Sequence, residues 1–177
     1  PVVLVGSSPV MIAGHASAPF ASFREFIEYA KANPGKLSFA SCGTASPQGI
    51  AAEYLKLVAG IDMVHMPYKG CGQAIVDVLS GAVPVFFSTV AQLNPQIKAG
   101  KLRAYAVTSL QRTPLAPDVP TVAESSFPDF GVDVWFGLLA PGRTSRDVVA
   151  KLNAEVNRML GRTDVRELFD DVVWRHR

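Results

Sequence analysis

The 177-residue chain predicts an α/β fold built on a mainly parallel sheet flanked by helices. Three observations carry that reading. Hydrophobic residues make up 49% of the chain and charged residues 18%, which suits a domain with a substantial core rather than a disordered segment. Short apolar runs alternate with helix-period segments between residues 37 and 88, the pattern of parallel strands joined by crossover helices. The 14 Gly and 13 Pro are spread along the chain, so the elements are short and separated by many turns. With 17 Lys+Arg against 15 Asp+Glu the net charge is +2, which excludes a dedicated nucleic-acid arm, and no nucleic-acid partner is expected.

The first 23 residues contain no Lys, Arg, Asp or Glu, and Ala16-Ser17-Ala18 imitates a signal-peptidase site. A signal peptide needs a basic start, and a spanning helix needs about 20 mostly apolar residues, whereas Gly6, Ser7, Ser8, Pro9, Gly14 and His15 interrupt this stretch. Residues 2–5 and 10–13 instead predict a buried strand pair or one bent strand. Because Pro1 is not a natural start, the expectation is that residues have been lost from the front, where any targeting signal would lie.

Ser22-Phe23-Arg24-Glu25 has the form of a capping box, and Phe23, Phe26, Ile27 and Ala30 share one stripe before Pro34-Gly35, which predicts a helix over 22–33. A strand follows at 37–41. Residues 42–46 form a small-residue loop, and Pro47 suits the first position of a helix capped by Ser46 and ended by Gly60. Next come a strand at 63–66, a turn at 67–72, a helix at 73–80 closed by Gly81, and a strand at 83–88. Residues 93–98 read as a helix weakened by Pro95, and 102–107 as a strand. Pro114, Pro117 and Pro120 mark a long irregular connection, taken as a domain edge. Residues 132–140 read as extended. Thr144, with Asp147 three residues later, is expected to cap a long helix with the stripe Val148, Leu152, Val156, Met159 and Leu160. A short helix at 164–170 precedes the basic end Trp174-Arg175-His176-Arg177.

Ligands of open α/β sheets bind at the carboxyl ends of parallel strands, beside helix N-termini. The loop at 41–46 has that position. Gly43 lets the backbone approach a ligand, Thr44 and Ser46 offer hydroxyls, and the free N–H groups of the following helix favour an anion. The alternative is an ordinary strand-to-helix turn with Ser46 as its cap. Tyr68 and Lys69 in the second loop, and Ser88 and Thr89 in the third, should open on the same sheet edge, although Lys69 reads better as a solvated side chain. Trp135 and Phe136 suit a cleft wall or a core equally. Cys42 and Cys71 each follow a strand, which makes a disulfide the natural hypothesis and a nucleophilic Cys42 its rival. His65 lies within a strand and reads as structural. The sequence holds no catalytic constellation, metal-ligand spacing or phosphate loop, so no catalytic residue, metal or cofactor is expected.

Several strings in order resemble the solute receptors of tripartite tricarboxylate transport systems, the Bug-type extracytoplasmic binding proteins. They are Phe26-Ile27-Glu28-Tyr29-Ala30-Lys31-Ala32-Asn33-Pro34-Gly35-Lys36-Leu37, Ser41-Cys42-Gly43-Thr44, Val64-His65-Met66-Pro67-Tyr68-Lys69-Gly70 and Ala99-Gly100-Lys101-Leu102-Arg103-Ala104. Pro117-Asp118-Val119-Pro120-Thr121 and Trp135-Phe136-Gly137-Leu138-Leu139-Ala140-Pro141 complete the set. The resemblance implies a lobe of a type II, Venus-flytrap periplasmic-binding-protein fold. It implies a non-enzymatic periplasmic receptor that captures a small carboxylate in an interdomain cleft and delivers it to a membrane permease. The family's binding loops match Gly43, Thr44 and Ser46 and the turn Ser88-Thr89; with Ser41, Tyr68 and Trp135 from the reading of the loops themselves, these are the expected ligand-binding residues. The resemblance includes members with Cys at both positions matching Cys42 and Cys71, which supports the disulfide. At the positions of Ser88 and Thr89 the family often has an acidic residue and Asn, so this chain departs from the pattern there.

A full receptor also implies about a hundred further residues before Pro1. On that reading residues 1–17 are a hinge and remnant of domain 1, 18–133 are the ligand-binding domain 2, and 134–177 are the hinge return with C-terminal helices of domain 1. The exposed apolar strand at 2–5 would then favour pairing with a second copy. Two other classes compete: the ligand-sensing domain of a transcriptional regulator, which shares the two-lobed architecture, and a small cysteine enzyme using Cys42.

Overall fold

Ser22 accepts a hydrogen bond from the Glu25 N–H at 3.2 Å, as the capping signature requires, and opens α1 (Phe23–Ala32) in the computed structural model. The structure describes residues 1–170, with side chains through residue 167; the basic end at 174–177 lies outside the described residues. The described chain divides into two compact units, Pro9–Asp133 and a second made of Pro1–Ser8 with the segment from Val134 onward.

In the larger unit the strands are the latter part of β1 (Val3–His15), then β2 (Ser38–Ser41), β3 (Val64–Pro67), β4 (Val85–Thr89) and β5 (Leu102–Val107). They lie in the order β3-β2-β4-β1-β5. β2 is parallel to both β3 and β4, as the alternation predicts. β1 is one long strand rather than a pair, inserted antiparallel between β4 and β5. Helices cover both faces of this sheet, so β4 is apolar on both sides. Phe87 faces Phe39 at 5.4 Å between ring centroids, while Phe86 joins Met11, Val78, Val90 and Leu93 in the core on the other face. The predicted stripe of α1 is buried, with Phe26 stacked on Tyr105 of β5 at 6.0 Å. Each such side chain removed from water contributes roughly 1.5–3 kcal/mol.

The remaining helices of this unit are α2 (Pro47–Ala59), α3 (Cys71–Leu79), α4 (Val90–Lys98) and the single turn α5 (Val122–Ser125). α2 starts on Ser46 and Pro47 and stops at the left-handed Gly60, as expected. The Pro-rich connection is not a domain edge. Asn94 Nδ2 donates to the Leu115 carbonyl at 2.7 Å, Val107 N–H donates to the Pro120 carbonyl at 2.9 Å, and the unit continues to Asp133. α5, absent from the sequence reading, is held by a reciprocal capping box between Thr121 and Glu124. The backbone N–H of Thr121 and the Arg112 guanidinium hold the Glu124 carboxyl below its ordinary pKa.

In the smaller unit β6 (Asp133–Leu138) pairs with β1, and Val2 N–H donates to the Leu138 carbonyl at 2.8 Å. α6 (Arg146–Leu160) and α7 (Thr163–Asp170) follow. The N-cap of α6 is Ser145, not Thr144, and its side chain makes no capping bond. Of the predicted stripe only Leu160 is buried; Val148, Leu152 and Met159 are exposed. Among the described residues no helix is long and apolar enough to cross a membrane.

Candidate functional site

Because β2, β3 and β4 run parallel, their carboxyl ends share one edge, and α2, α3 and α4 start there. Two left-handed glycines shape the entries: Gly43 has φ +147° and Gly70 has φ +148°, a region that side chains with Cβ rarely occupy. Cys42 and Cys71 form a disulfide with their Cα atoms 4.4 Å apart, which staples the first two loops. Tyr68 N–H adds a bond to the Ser41 carbonyl at 3.1 Å, and Cys42 Sγ lies 3.9 Å from Ser88 Oγ in the third loop. The disulfide leaves neither cysteine free and removes the nucleophilic-thiol hypothesis.

The hydroxyl groups on this edge are engaged to different degrees. Ser41 is fully buried, with Oγ 2.6 Å from His65 Nε2, and Oγ also accepts the Gly43 N–H at 3.3 Å. Ser46 donates to the Gly43 carbonyl at 2.7 Å and accepts from Gly49 N–H at 3.1 Å, so it caps α2 and ties the loop to it. Ser88 is buried and donates to Gln92 Oε1 at 2.7 Å. Tyr68 turns its hydroxyl to Asp77 Oδ2 at 2.6 Å; that bond, aided by burial, pushes the phenol up to about 12. Thr44 is exposed and Thr89 half-buried. The first turn of α3 has no side-chain cap, and Thr89 makes no capping bond to α4. Seven of the eight predicted ligand residues thus lie in one unit, on or beside this edge. Trp135 lies in the other unit, where 63% of its surface is exposed.

The groups that hold these side chains, Gln92, Asp77 and Glu53, carry no signal in the sequence, whereas His65 has the structural role within a strand that was expected of it. His65 stacks on Phe39 with ring centroids 4.5 Å apart, and its Nδ1 lies 3.5 Å from Glu53 Oε1. Burial pushes its pKa below the ordinary imidazole value, opposed by Glu53 and assisted by Lys56. Ser41, His65 and Glu53 stand in the order hydroxyl, imidazole, carboxylate. The Ser41 oxygen has no exposed surface, however, so it cannot attack a substrate in this conformation. Among the described residues no group of three or more His, Cys, Asp or Glu is placed to hold a metal ion.

An antiparallel strand threaded between parallel ones, with three helix N-termini on one stapled edge, is the arrangement of a lobe of the periplasmic binding protein fold. Solved structures agree. One described as a periplasmic transporter is 38% identical with a TM-score of 0.87, the match covering 98% of this chain and 58% of that one. MatC (Rpa3494) from Rhodopseudomonas palustris with bound malate is 33% identical with a TM-score of 0.86, covering 97% of this chain and 58% of that one. The chain belongs to the tripartite tricarboxylate transporter receptor family, whose model matches residues 1–173. It is 39% identical over 168 residues to a UPF0065 protein from the tcbD-tcbE intergenic region of Pseudomonas sp. strain P51, across 94% of this chain and 50% of that protein. It is 33% identical to Protein BugT of Bordetella pertussis, across 96% of this chain and 52% of that protein. The chain therefore spans about half the length of these curated relatives.

Proposed function

We propose that the chain serves a periplasmic solute receptor that captures a small carboxylate and delivers it to a tripartite tricarboxylate permease. The observation that carries this reading is the stapled edge, where the N-termini of α2, α3 and α4 gather around a Gly43-Thr44 loop. A carboxylate there would accept backbone N–H bonds and meet the partial positive charge of the helix ends. Gly43, Thr44 and Thr89 are the direct contacts on this reading, while Ser41, Ser46, Tyr68 and Ser88 shape the loops. On this reading the unit Pro9–Asp133 is the ligand-binding domain, its first boundary at 8/9 rather than 17/18, and Pro1–Ser8 with the segment from Val134 onward supplies hinge and first-domain segments. Malate in the related MatC structure sets the ligand size to try first.

The test is a thermal-shift panel of dicarboxylates and tricarboxylates against sulfate and chloride at matched ionic strength. A ligand that binds only the folded state raises Tm with its concentration. The expected result is a rise with at least one carboxylate that Thr44→Val diminishes. No carboxylate-specific rise would overturn the reading.

A further inference from the structure

The 41–46 loop rests on a side chain that has no place in the ligand contacts just proposed. His65 is on β3, one strand away from the loop, yet three observations tie the two together. Its Nε2 is 2.6 Å from Ser41 Oγ, and that same oxygen reaches both backbone groups of Gly43, accepting from N–H at 3.3 Å and standing 3.1 Å from the carbonyl, so its one proton has two acceptors to choose between. Its ring is fixed from the other side by Glu53 at Nδ1 and by the Phe39 face. Finally, a Cβ built on Gly49 would lie 2.7 Å from the Gly43 carbonyl oxygen and 3.3 Å from His65 Cε1, so ring, helix start and loop pack with no space between them.

The proton accounting follows from these neighbours. The Glu53 carboxylate, 3.5 Å from Nδ1, favours the tautomer with hydrogen on Nδ1, and in that tautomer Nε2 accepts the single Ser41 hydroxyl proton. Ser41 Oγ then keeps its lone pairs for the Gly43 N–H. When the imidazole is protonated, Nε2 becomes a donor to Ser41 Oγ, and the hydroxyl proton turns to the Gly43 carbonyl. The charged groups acting on the ring from α2 are Glu53 and Lys56; from β2 it meets Phe39 and Ser41, which are uncharged.

We propose that His65, held by Glu53, is the positioning residue of the 41–46 loop: through Ser41 it sets the orientation in which Gly43 and Thr44 present their polar groups to a ligand. The inference deepens the receptor reading and rests on it for the ligand's presence, but the loop geometry is measurable without any ligand.

The experiment is an amide and imidazole NMR titration of the ligand-free chain from pH 8 to pH 5, with His65→Phe, His65→Gln and Glu53→Gln beside the wild type. Phenylalanine keeps the stack on Phe39 and removes the hydrogen bond; glutamine restores an acceptor near the Nε2 position. The expected result is that the Gly43 amide moves with the same midpoint as the His65 ring. In His65→Phe that transition is lost and the Gly43 and Thr44 amides are displaced. In His65→Gln they return towards wild-type positions, and in Glu53→Gln the shared midpoint falls. A Gly43 amide indifferent to the ring titration, or Gly43 and Thr44 unmoved in His65→Phe, would overturn the inference. Should His65→Phe fail to fold, the wild-type and Glu53→Gln midpoints decide it alone. Malate added at the end is a separate arm: its failure to perturb the loop counts against the receptor reading, while the ligand-free comparison still decides His65.

Discussion

Gly49 shows how much of the site depends on one missing methyl group. Its Cβ would approach the carbonyl oxygens of Gly43 at 2.7 Å and Thr44 at 3.1 Å, both backbone atoms that cannot swing aside. Gly49→Ala is therefore expected to displace the loop and destabilise the chain by about 1–3 kcal/mol, the usual range for overpacking, read by urea denaturation. His65 adds a pH dependence of known sign. Its folded pKa is lowered, chiefly by burial, so the unfolded chain binds the proton more readily. Stability should be highest above the unfolded imidazole pKa of about 6.5 and decline as the pH falls from there towards the lower folded pKa, below which the loss is complete. Denaturation midpoints between pH 8 and pH 5 check this, and His65→Gln should flatten the profile. Of these residues the sequence displayed Gly43, Thr44 and Ser46, because small and hydroxyl residues before a proline announce a strand-to-helix turn. It could not display which hydroxyl is already occupied. Ser41 and Ser88 look like Thr44 in one dimension, and only the positions of His65 and Gln92 in the fold commit them.

Among elements, those with local stop and start signals were legible. α1 and α2 carry caps, a buried stripe and a glycine or proline terminator, and β5 lies where the apolar run places it. α5 was equally signalled by Thr121-Val122-Ala123-Glu124 but was lost among prolines, since one turn has no periodicity to detect. The start of α3 at Cys71 had no local signal, because Gly70 offers no side-chain cap and the disulfide holds that position. The antiparallel direction of β1 was not legible at all: period and hydrophobicity are the same whichever way a strand runs. The disulfide closes a loop with a sequence separation of 29. Its removal in the Cys42→Ser, Cys71→Ser double variant is expected to cost about 3–4 kcal/mol by the loop-entropy relation, measured by denaturant unfolding. Little change in midpoint would mean that the β2, β3 and β4 pairing alone holds the two loops.

The two units of the whole molecule differ in how well they bury their apolar surface. Pro9–Asp133 contains nearly the entire core and exposes apolar side chains such as Leu57 and Val76 around it, whereas the smaller unit leaves Leu4, Trp135, Leu138, Leu139, Val148, Leu152 and Met159 exposed with few buried ones beside them. Surface of this kind binds apolar dyes, so the chain should enhance ANS fluorescence at neutral pH, and Leu152→Lys with Met159→Lys should reduce it without lowering the stability of the larger unit. The fold class was legible at this scale because alternation of short strands and helices admits few architectures, and the edge proposed for the ligand follows from strand direction. What the edge binds is a matter of loop geometry, for which the sequence carried only residue types.

The measurement that bears most directly on the account is amide shift mapping of the chain as malate is added. Saturable shifts concentrated at Gly43, Thr44 and the first turns of α2 and α4 are expected, and Thr44→Val with Thr89→Val should abolish them. Saturable shifts centred elsewhere, or none from any dicarboxylate or tricarboxylate, would contradict it.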